Sequence, residues 1–277
     1  MKKIVSLILA LTMMLGAAFT LSSCTEEKEK LVVYTEAGFA PFEYVDNGKI
    51  VGVDVEIMQL VADKLGKELV FENVAFDTII DAVAAGNLTN VGAAGISVNE
   101  ERQKKVDFSN EYYTAALYVI YKADQASAYE STTTDNVTGI YWDSLAGKNI
   151  AVQNGTTADL FLGDELGEGG TIYNTGAKKV GFAALATALS DVGLGNSDVL
   201  IIDELPAKQL INGKSEYKCA PLYYQGDAES ADEAAVDVYA ICVTKGQTEL
   251  LNAINDVLAE LGEKGIQALV NKHLGLD

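Results

Sequence analysis

From Leu31 onward, short apolar runs alternate with longer segments whose apolar residues recur at helical spacing. LVVYT (31–35) reads as a strand. EYVDNGKIVGV (43–53) reads as a hairpin turning at Asn47-Gly48, because Asn and Gly tolerate the positive φ that a two-residue turn needs. Ile57, Leu60, Val61 and Leu65 fall on one helical face, with Asp54 placed to cap the helix and Gly66 to end it. ELVFENV (68–74) predicts a strand, Asp77 the cap of a helix over TIIDAVAAG (78–86), and VGAAGIS (91–97) and AALYVIYK (115–122) two further strands.

DQASAYESTTTDNVTG (124–139) interrupts this rhythm, and its polarity predicts a surface loop. The alternation then resumes. NIAVQNG (149–155) is expected as a strand, TTADLFLGDEL (156–166) as a helix, TIYNT (171–175) as a strand and KKVGFAALATALSDV (178–192) as a helix. DVLIID (198–203), ELPAKQLING (204–213) and VDVYAICVT (236–244) continue as strand, helix and strand, and QTELLNAINDVLAELGEKG and IQALVNKHLG close the chain as helices. Strands regularly followed by helices define an α/β architecture with open sheets covered on their faces. About 250 residues of this pattern exceed the usual size of one hydrophobic core, which divides the chain into two α/β lobes. No internal repeat is visible.

The first 24 residues follow a different pattern: Lys2 and Lys3, an apolar stretch from Ile4 to Leu15, then Leu21-Ser22-Ser23-Cys24. A positive start, a short apolar region and small residues before a cleavage point describe an export signal rather than a spanning helix. Leu-Ser-Ser-Cys resembles a bacterial lipobox, which implies cleavage before Cys24, a lipid on Cys24 and a short charged tether over 24–30. Two acyl chains suffice for stable membrane anchorage, and no later segment is apolar enough to span a bilayer.

Composition narrows the function classes. The chain has 277 residues and a net charge of −20; residues 1–23 hold two lysines and no acid, which leaves 18 basic against 40 acidic side chains, or −22. Such a chain offers no basic patch to displace counterions from nucleic acid. The single histidine, His273, cannot build a zinc site or a Ser-His-Asp triad without partners that the chain lacks. No G-x-x-x-x-G-K-[ST] phosphate-cradling run occurs, and no cofactor is implied. After Cys24 only Cys219 and Cys242 remain, and spacing leaves open whether they are bridged or are two separate thiols.

One residue stands out chemically. Arg102 is the only arginine; the other 19 basic residues are lysines. Its planar fork matches a carboxylate in two parallel hydrogen bonds, which a lysine ammonium cannot do. Four ordered stretches surround this question: TEAGFAPFEYVDNGKIVGVDVEIMQLVADKLG, AGISVNEERQKKVDFSNEYY, LAGKNIAVQNGTTADLF and SDVLIIDELPAKQLI. Together they resemble the family 3 extracellular solute-binding proteins, from about Leu31 to the C-terminus.

The resemblance implies a two-lobed periplasmic-binding-protein-like fold with two strand crossovers as hinge and a ligand cleft between the lobes. One lobe would comprise 31–118 and 239–277, the other 119–238. It implies a lipid-anchored, extracytoplasmic single-chain receptor that delivers a polar or basic amino acid to an ABC importer's permease. By resemblance, Arg102 grips the ligand's α-carboxylate, with Ser97 and the free backbone amide of Gly95 beside it. Thr157, opening a helix after Gly155, adds a second grip from the other lobe, and Asp203, at the end of DVLIID, takes the α-ammonium. Phe39 and Phe76 become the aromatic walls around the side chain, with Glu36 and Gln153 as polar groups that read it. Taken without the resemblance, Phe39 and Phe76 are core residues and Asp203 a helix cap. Two places depart from the family pattern: Thr89-Asn90, where an acid is usual before the strand, and the long 124–142 stretch with Trp142, the only tryptophan. An enzyme of the cyclohexadienyl dehydratase type shares this fold and would use Glu36 as its acid; a sensor reporting the amino acid to a membrane partner is the third class.

Overall fold

The computed structural model describes residues 28–227 and 230–276. The export segment, Cys24 and most of the tether lie outside the described residues. Lys30–Thr35 turns Leu31, Val33 and Thr35 inward and pairs parallel with Glu68–Asn73 on one side and Val91–Gly92 on the other. Cys242–Thr244 and Val106–Phe108 extend this sheet to five strands by antiparallel pairing. Helices Val53–Leu65 and Phe76–Ala85 supply the crossovers, each stopped by a glycine in the left-handed conformation, Gly66 and Gly86. The C-terminal helical run Thr248–Leu274, kinked at Gly262, packs on Val53–Leu65 through Ile254, Val257, Ile57 and Val61, all buried.

The second sheet has Lys178–Phe182, Asn149–Gln153 and Val199–Asp203 side by side and parallel. Val199–Asp203 is next to the long strand Tyr113–Lys122, which is antiparallel to it, and Tyr217–Tyr224 flanks that strand on its other side. The core of this lobe is built from alternate residues of these strands, among them Leu117, Val119, Ile150, Val152, Val199, Ile201 and Leu222, together with Trp142. Two strands pass between the sheets. The first half of Tyr113–Lys122 pairs antiparallel with Val236–Tyr239, Tyr113 opposite Tyr239 and Ala116 opposite Val236, before the same strand enters the second sheet. The result is two α/β lobes joined by an antiparallel pair of strands.

Several local expectations are corrected. The 124–142 stretch is not a surface loop: it folds into a short helix, strands Glu130–Thr132 and Thr138–Tyr141, and a 3-10 turn that buries Trp142 to 1% exposure. Its polar residues hid a few apolar anchors, Tyr129, Ile140 and Trp142, that carry the segment onto the sheet. TIYNT forms turns, and the strand is KKVGF (178–182), with the helix beginning only at Leu185. β-branched and aromatic residues in KKVGF suit a strand, whereas the alanine-rich stretch AALATAL after it favours a helix and extends that pattern too far back. VDVYAICVT is two strands, broken at Ala240-Ile241 where the chain changes sheets. VGAAGIS pairs as a strand only over Val91–Gly92. Tyr217–Tyr224 was not foreseen; Pro221 within it argues against a strand, yet Pro221 sits at the last pair with the crossing strand. Neither Asp54 nor Asp77 caps its helix, those positions belonging to Gly52 and Ala75. Cys219 and Cys242 are free thiols in different sheets.

Trp142 is the test of how far the 124–142 stretch is integrated. Replacing a fully buried tryptophan by alanine costs about 3–5 kcal/mol, so the urea midpoint of Trp142→Ala should fall sharply. A surface loop would lose almost nothing.

Candidate functional site

The positions expected around a ligand come from five separate segments, and the fold brings them together where the lobes meet. Glu36, Phe39, Phe76, Gly95, Ser97, Gln153, Thr157 and Asp203 line one cleft, together with Thr156. Asp203 ends the strand Val199–Asp203 and Gln153 ends Asn149–Gln153, so both stand at the carboxyl edge of parallel strands, where α/β folds place ligands. The lobes are closed upon this cleft. Ser97 Oγ of the first lobe lies 3.0 Å from Thr157 Oγ1 of the second, and a Cβ on Gly155 would come within 2.9 Å of Asp77 Cβ across the interface.

Arg102 stands beside the lining and is 7% exposed. Its Nη1 donates to Ser97 O at 2.5 Å and its Nη2 to Gly155 O at 2.8 Å, so the guanidinium ties a carbonyl of each lobe to one plane. It also lies over the Phe76 ring, 5.6 Å from the centroid. The short helix Glu100–Gln103 positions it, with Asn99 Oδ1 accepting the Arg102 backbone N–H at 2.8 Å. Burial draws the guanidinium pKa down, against Asp237, Cys242 and Asp203 nearby, which raise it.

Gly95 differs from expectation. Its backbone amide is not free: it donates to Asp54 Oδ2 at 3.0 Å, while Tyr112 donates its hydroxyl to Asp54 Oδ1 at 2.6 Å. Asp54 therefore holds the loop under the cleft instead of capping its own helix. Gly95 has φ 52°, and a Cβ there would strike the Phe39 ring at 2.9 Å, so this glycine is required for the ring to reach the cleft. The Thr156-Thr157 pair divides its labour. Thr156 caps helix Thr157–Leu166, its hydroxyl accepting from Asp159 N, whereas the Thr157 hydroxyl turns inward.

Asp203 is 4% exposed and makes no side-chain cap hydrogen bond to the helix it begins. Its Oδ1 is buried with no hydrogen-bond partner among the described residues, and the Tyr239 hydroxyl beside the carboxyl draws its pKa down as a donor would. Desolvation, and then the Asp237 carboxylate, push the Asp203 pKa well up. A buried acceptor without a donor costs free energy unless something supplies one. Glu36 is raised by burial too, eased by the Gln153 side chain of the opposite lobe and by the Gly38 amide. Sequence reasoning missed three buried acids, Glu43, Asp54 and Asp237, which read as hairpin, cap and strand residues; only their placement inside otherwise apolar elements could have marked them. His273 is held between Tyr44 and Glu56, away from the cleft lining. Thr89 fills the strand-entry place by donating to Val32 O at 2.8 Å and accepting from Val91 N at 3.1 Å. A larger groove between Asn110–Thr114 and Leu258–Gln267 lies apart from all the expected site residues.

A closed cleft between two hinged lobes, walled by phenylalanines and lined by a few oriented polar groups, defines a small-solute binding protein. The chain belongs to the bacterial extracellular solute-binding proteins, family 3, whose model matches residues 31–276. It is 30% identical over 259 residues to the putative ABC transporter arginine-binding protein 2 of Escherichia coli, covering 92% of this chain and 94% of that one. It is 26% identical over 254 residues to the L-cystine-binding protein TcyJ of Escherichia coli, at 91% and 85% coverage. Among solved structures it is similar to the amino acid ABC transporter substrate-binding protein AbpA of Streptococcus pneumoniae bound to L-arginine, with TM-score 0.72, 28% identity, and 89% and 95% coverage. All three are named for the amino acid they bind or carry, and the arginine-binding protein and AbpA are named as parts of ABC transporters.

Asp54 yields a pH prediction. Burial raises its pKa from 3.8 to about 6, against the hydrogen bonds from Tyr112 and Gly95. Below 3.8 both folded and unfolded states hold the proton; above 6 neither does, and the folded state alone bears a buried charge. Its contribution therefore lowers stability as pH rises through that window, by up to about 3 kcal/mol. Asp54→Asn should flatten the rise in urea midpoint expected as pH falls from 7 to 4; an unchanged slope would assign the effect to other acids.

Proposed function

We propose that the protein is a lipid-anchored receptor that closes on a basic L-amino acid and hands it to the permease of an ABC importer. The observation that carries this reading is the charge inventory of the closed cleft: carboxylates from both lobes, Glu36 and Asp203, line it, and one guanidinium, Arg102, stands beside it within the influence of Asp203. An α-amino acid has one carboxylate for Arg102 and one ammonium for Asp203. A second cation on its side chain would answer Glu36, between the rings of Phe39 and Phe76. The names of the arginine-binding relatives support the same class of ligand.

In this reading Arg102 donates to the α-carboxylate while bracing Ser97 O and Gly155 O, so ligand and arginine together tie the lobes. Asp203 receives the ammonium, which supplies the donor its buried oxygen lacks. Thr157 and Ser97 face the α-carbon end of the ligand, and Gln153 shares Glu36 with the side chain. No proton needs to leave a bound amino acid here, and Glu36 is engaged by Gln153 rather than held free as an acid, which favours binding over dehydratase chemistry. Export and tethering rest on Lys2-Lys3, the apolar stretch after them and Leu21-Ser22-Ser23-Cys24.

A thermal-shift screen of the twenty amino acids should give its largest shifts with arginine and lysine, since a ligand at 100 times its Kd adds about 2.7 kcal/mol of stability. Arg102→Lys keeps the charge and loses the fork; calorimetry should show affinity for the best ligand lowered about tenfold or more. Unaltered affinity would reduce Arg102 to a brace between the lobes. Cys24→Ser should move the protein from membranes to the soluble fraction, and retention on membranes would remove the lipid anchor from the reading.

A further inference from the structure

Glu43 opens the strand Glu43–Asp46, where it is paired with Phe39, a wall of the cleft. No part of the reading above uses it. It is 0% exposed, and neither of its carboxyl oxygens has a hydrogen-bond donor among the described residues. Asp54, also fully buried, lies next to it. Asp54 N donates to Phe42 O at 3.0 Å, and the two carboxyl groups are hydrogen-bond partners. Gly52 lets the two segments come this close, since a Cβ there would run into Phe42 O. The charged groups that bear on Glu43 are Asp54, Glu36 and Asp203, all of them acids.

Two carboxylates cannot hydrogen-bond to each other, because neither has a hydrogen to give. One of this pair must be an acid, as where two buried carboxyl groups hold a single proton between them. The surrounding hydrogen bonds decide which one. Asp54 accepts from the Tyr112 hydroxyl at Oδ1, 2.6 Å, and from Gly95 N at Oδ2, 3.0 Å, and two donors favour its charged form. Glu43 receives none. The proton therefore stays on Glu43 and is directed to Asp54. Desolvation first, and the Asp54 charge second, hold the Glu43 pKa well up, in the same sense.

We propose that Glu43 is a positioning residue for the cleft: as a neutral acid it donates to Asp54, and the acid–carboxylate pair holds the Phe39 wall, the Gly95 loop and Tyr112 in one arrangement. This rests on the amino acid-binding reading and deepens it, and it gives neither acid a contact with the ligand. The clamp also reaches the hinge, because Tyr112 N donates to Tyr239 O at 2.9 Å, beside the crossing strands. Without a donor at position 43, the Asp54 carboxylate is a buried charge short of a partner. Such a charge is costly, and the loop and ring that depend on it lose their fixed place.

The test compares wild type, Glu43→Met and Glu43→Gln by calorimetry with L-arginine at pH 7. Methionine fills the space of Glu43 and has no hydrogen to donate, so Glu43→Met should bind arginine about tenfold or more weakly, the scale of a hydrogen bond to a charged group. Glu43→Gln, whose amide still donates to Asp54, should recover most of that loss. An infrared difference spectrum of the ligand-free proteins, wild type minus Glu43→Gln, reads the proton directly and needs no binding and no methionine variant. It should contain the carbonyl stretch of a protonated carboxyl group. A spectrum without that band would overturn the proposal. So would Glu43→Met that binds as wild type does, or Glu43→Gln that binds as poorly as Glu43→Met, which would make Glu43 a matter of packing alone. Wild type that takes no amino acid in the screen would instead fail the receptor reading itself, before any variant is compared, and the proposal with it.

Discussion

The antiparallel contact between Tyr113–Ala116 and Val236–Tyr239 is the constraint on which the molecule depends. Both strands of this pair belong to the second sheet, and the chain runs from each directly into a strand of the first, Val106–Phe108 before Tyr113 and Cys242–Thr244 after Tyr239. Residues on both sides of the pair extend into the site: Ser97 bridges Tyr239, Val98 N donates to Val238 O at 3.0 Å, and Ala240 N donates to Ile96 O at 3.0 Å. The loop that carries Gly95 and Ser97 is therefore hydrogen-bonded to the hinge itself. Lobe movement and site geometry cannot be varied independently, because the same backbone ladder serves both.

Around this pair the protein accumulates buried acid. Glu43, Asp54, Asp203 and Asp237 all have their pKa raised, with desolvation as the leading cause in each case. Four carboxyl groups with one guanidinium nearby are a poor arrangement for an isolated folded domain, in which each unpaired buried charge is costly. Under the proposed reading, in which the ligand brings cations, part of that cost would be recovered on binding.

The alternation of strands and helices was legible from Leu31 onward because most elements have a single apolar face with the matching period. The two-residue turn at Asn47-Gly48 has positive φ at both positions, as its residues required. The expected site residues were legible for a different reason: the ordered motifs of a known family placed them, and the fold brings eight of them to one cleft with Arg102 at its edge. What escaped was decided by tertiary context. KKVGF became a strand because Asn149–Gln153 offered it a parallel partner. Trp142 pulled a polar segment into the core, and nothing in its neighbours announced that. Asp54 and Asp237 are ordinary in their own segments; their partners lie 41 and 140 residues away at Gly95 and Ser97. Local pattern cannot report a hydrogen bond of that span.

Gly155 sets a limit on how far the two halves can approach. Its φ of 76° and the 2.9 Å that a Cβ would leave to Asp77 mean that one hydrogen atom, rather than a methyl group, is what the shut molecule tolerates at this point. Closure here is therefore a stop as well as an attraction. Its end point is set where the Gly155 backbone meets the Cβ and Cα of Asp77, and that stop limits the volume left between the lobes. Such a cleft measures its ligand with a rigid gauge: an undersized solute leaves it unfilled, and an oversized one holds the jaws ajar.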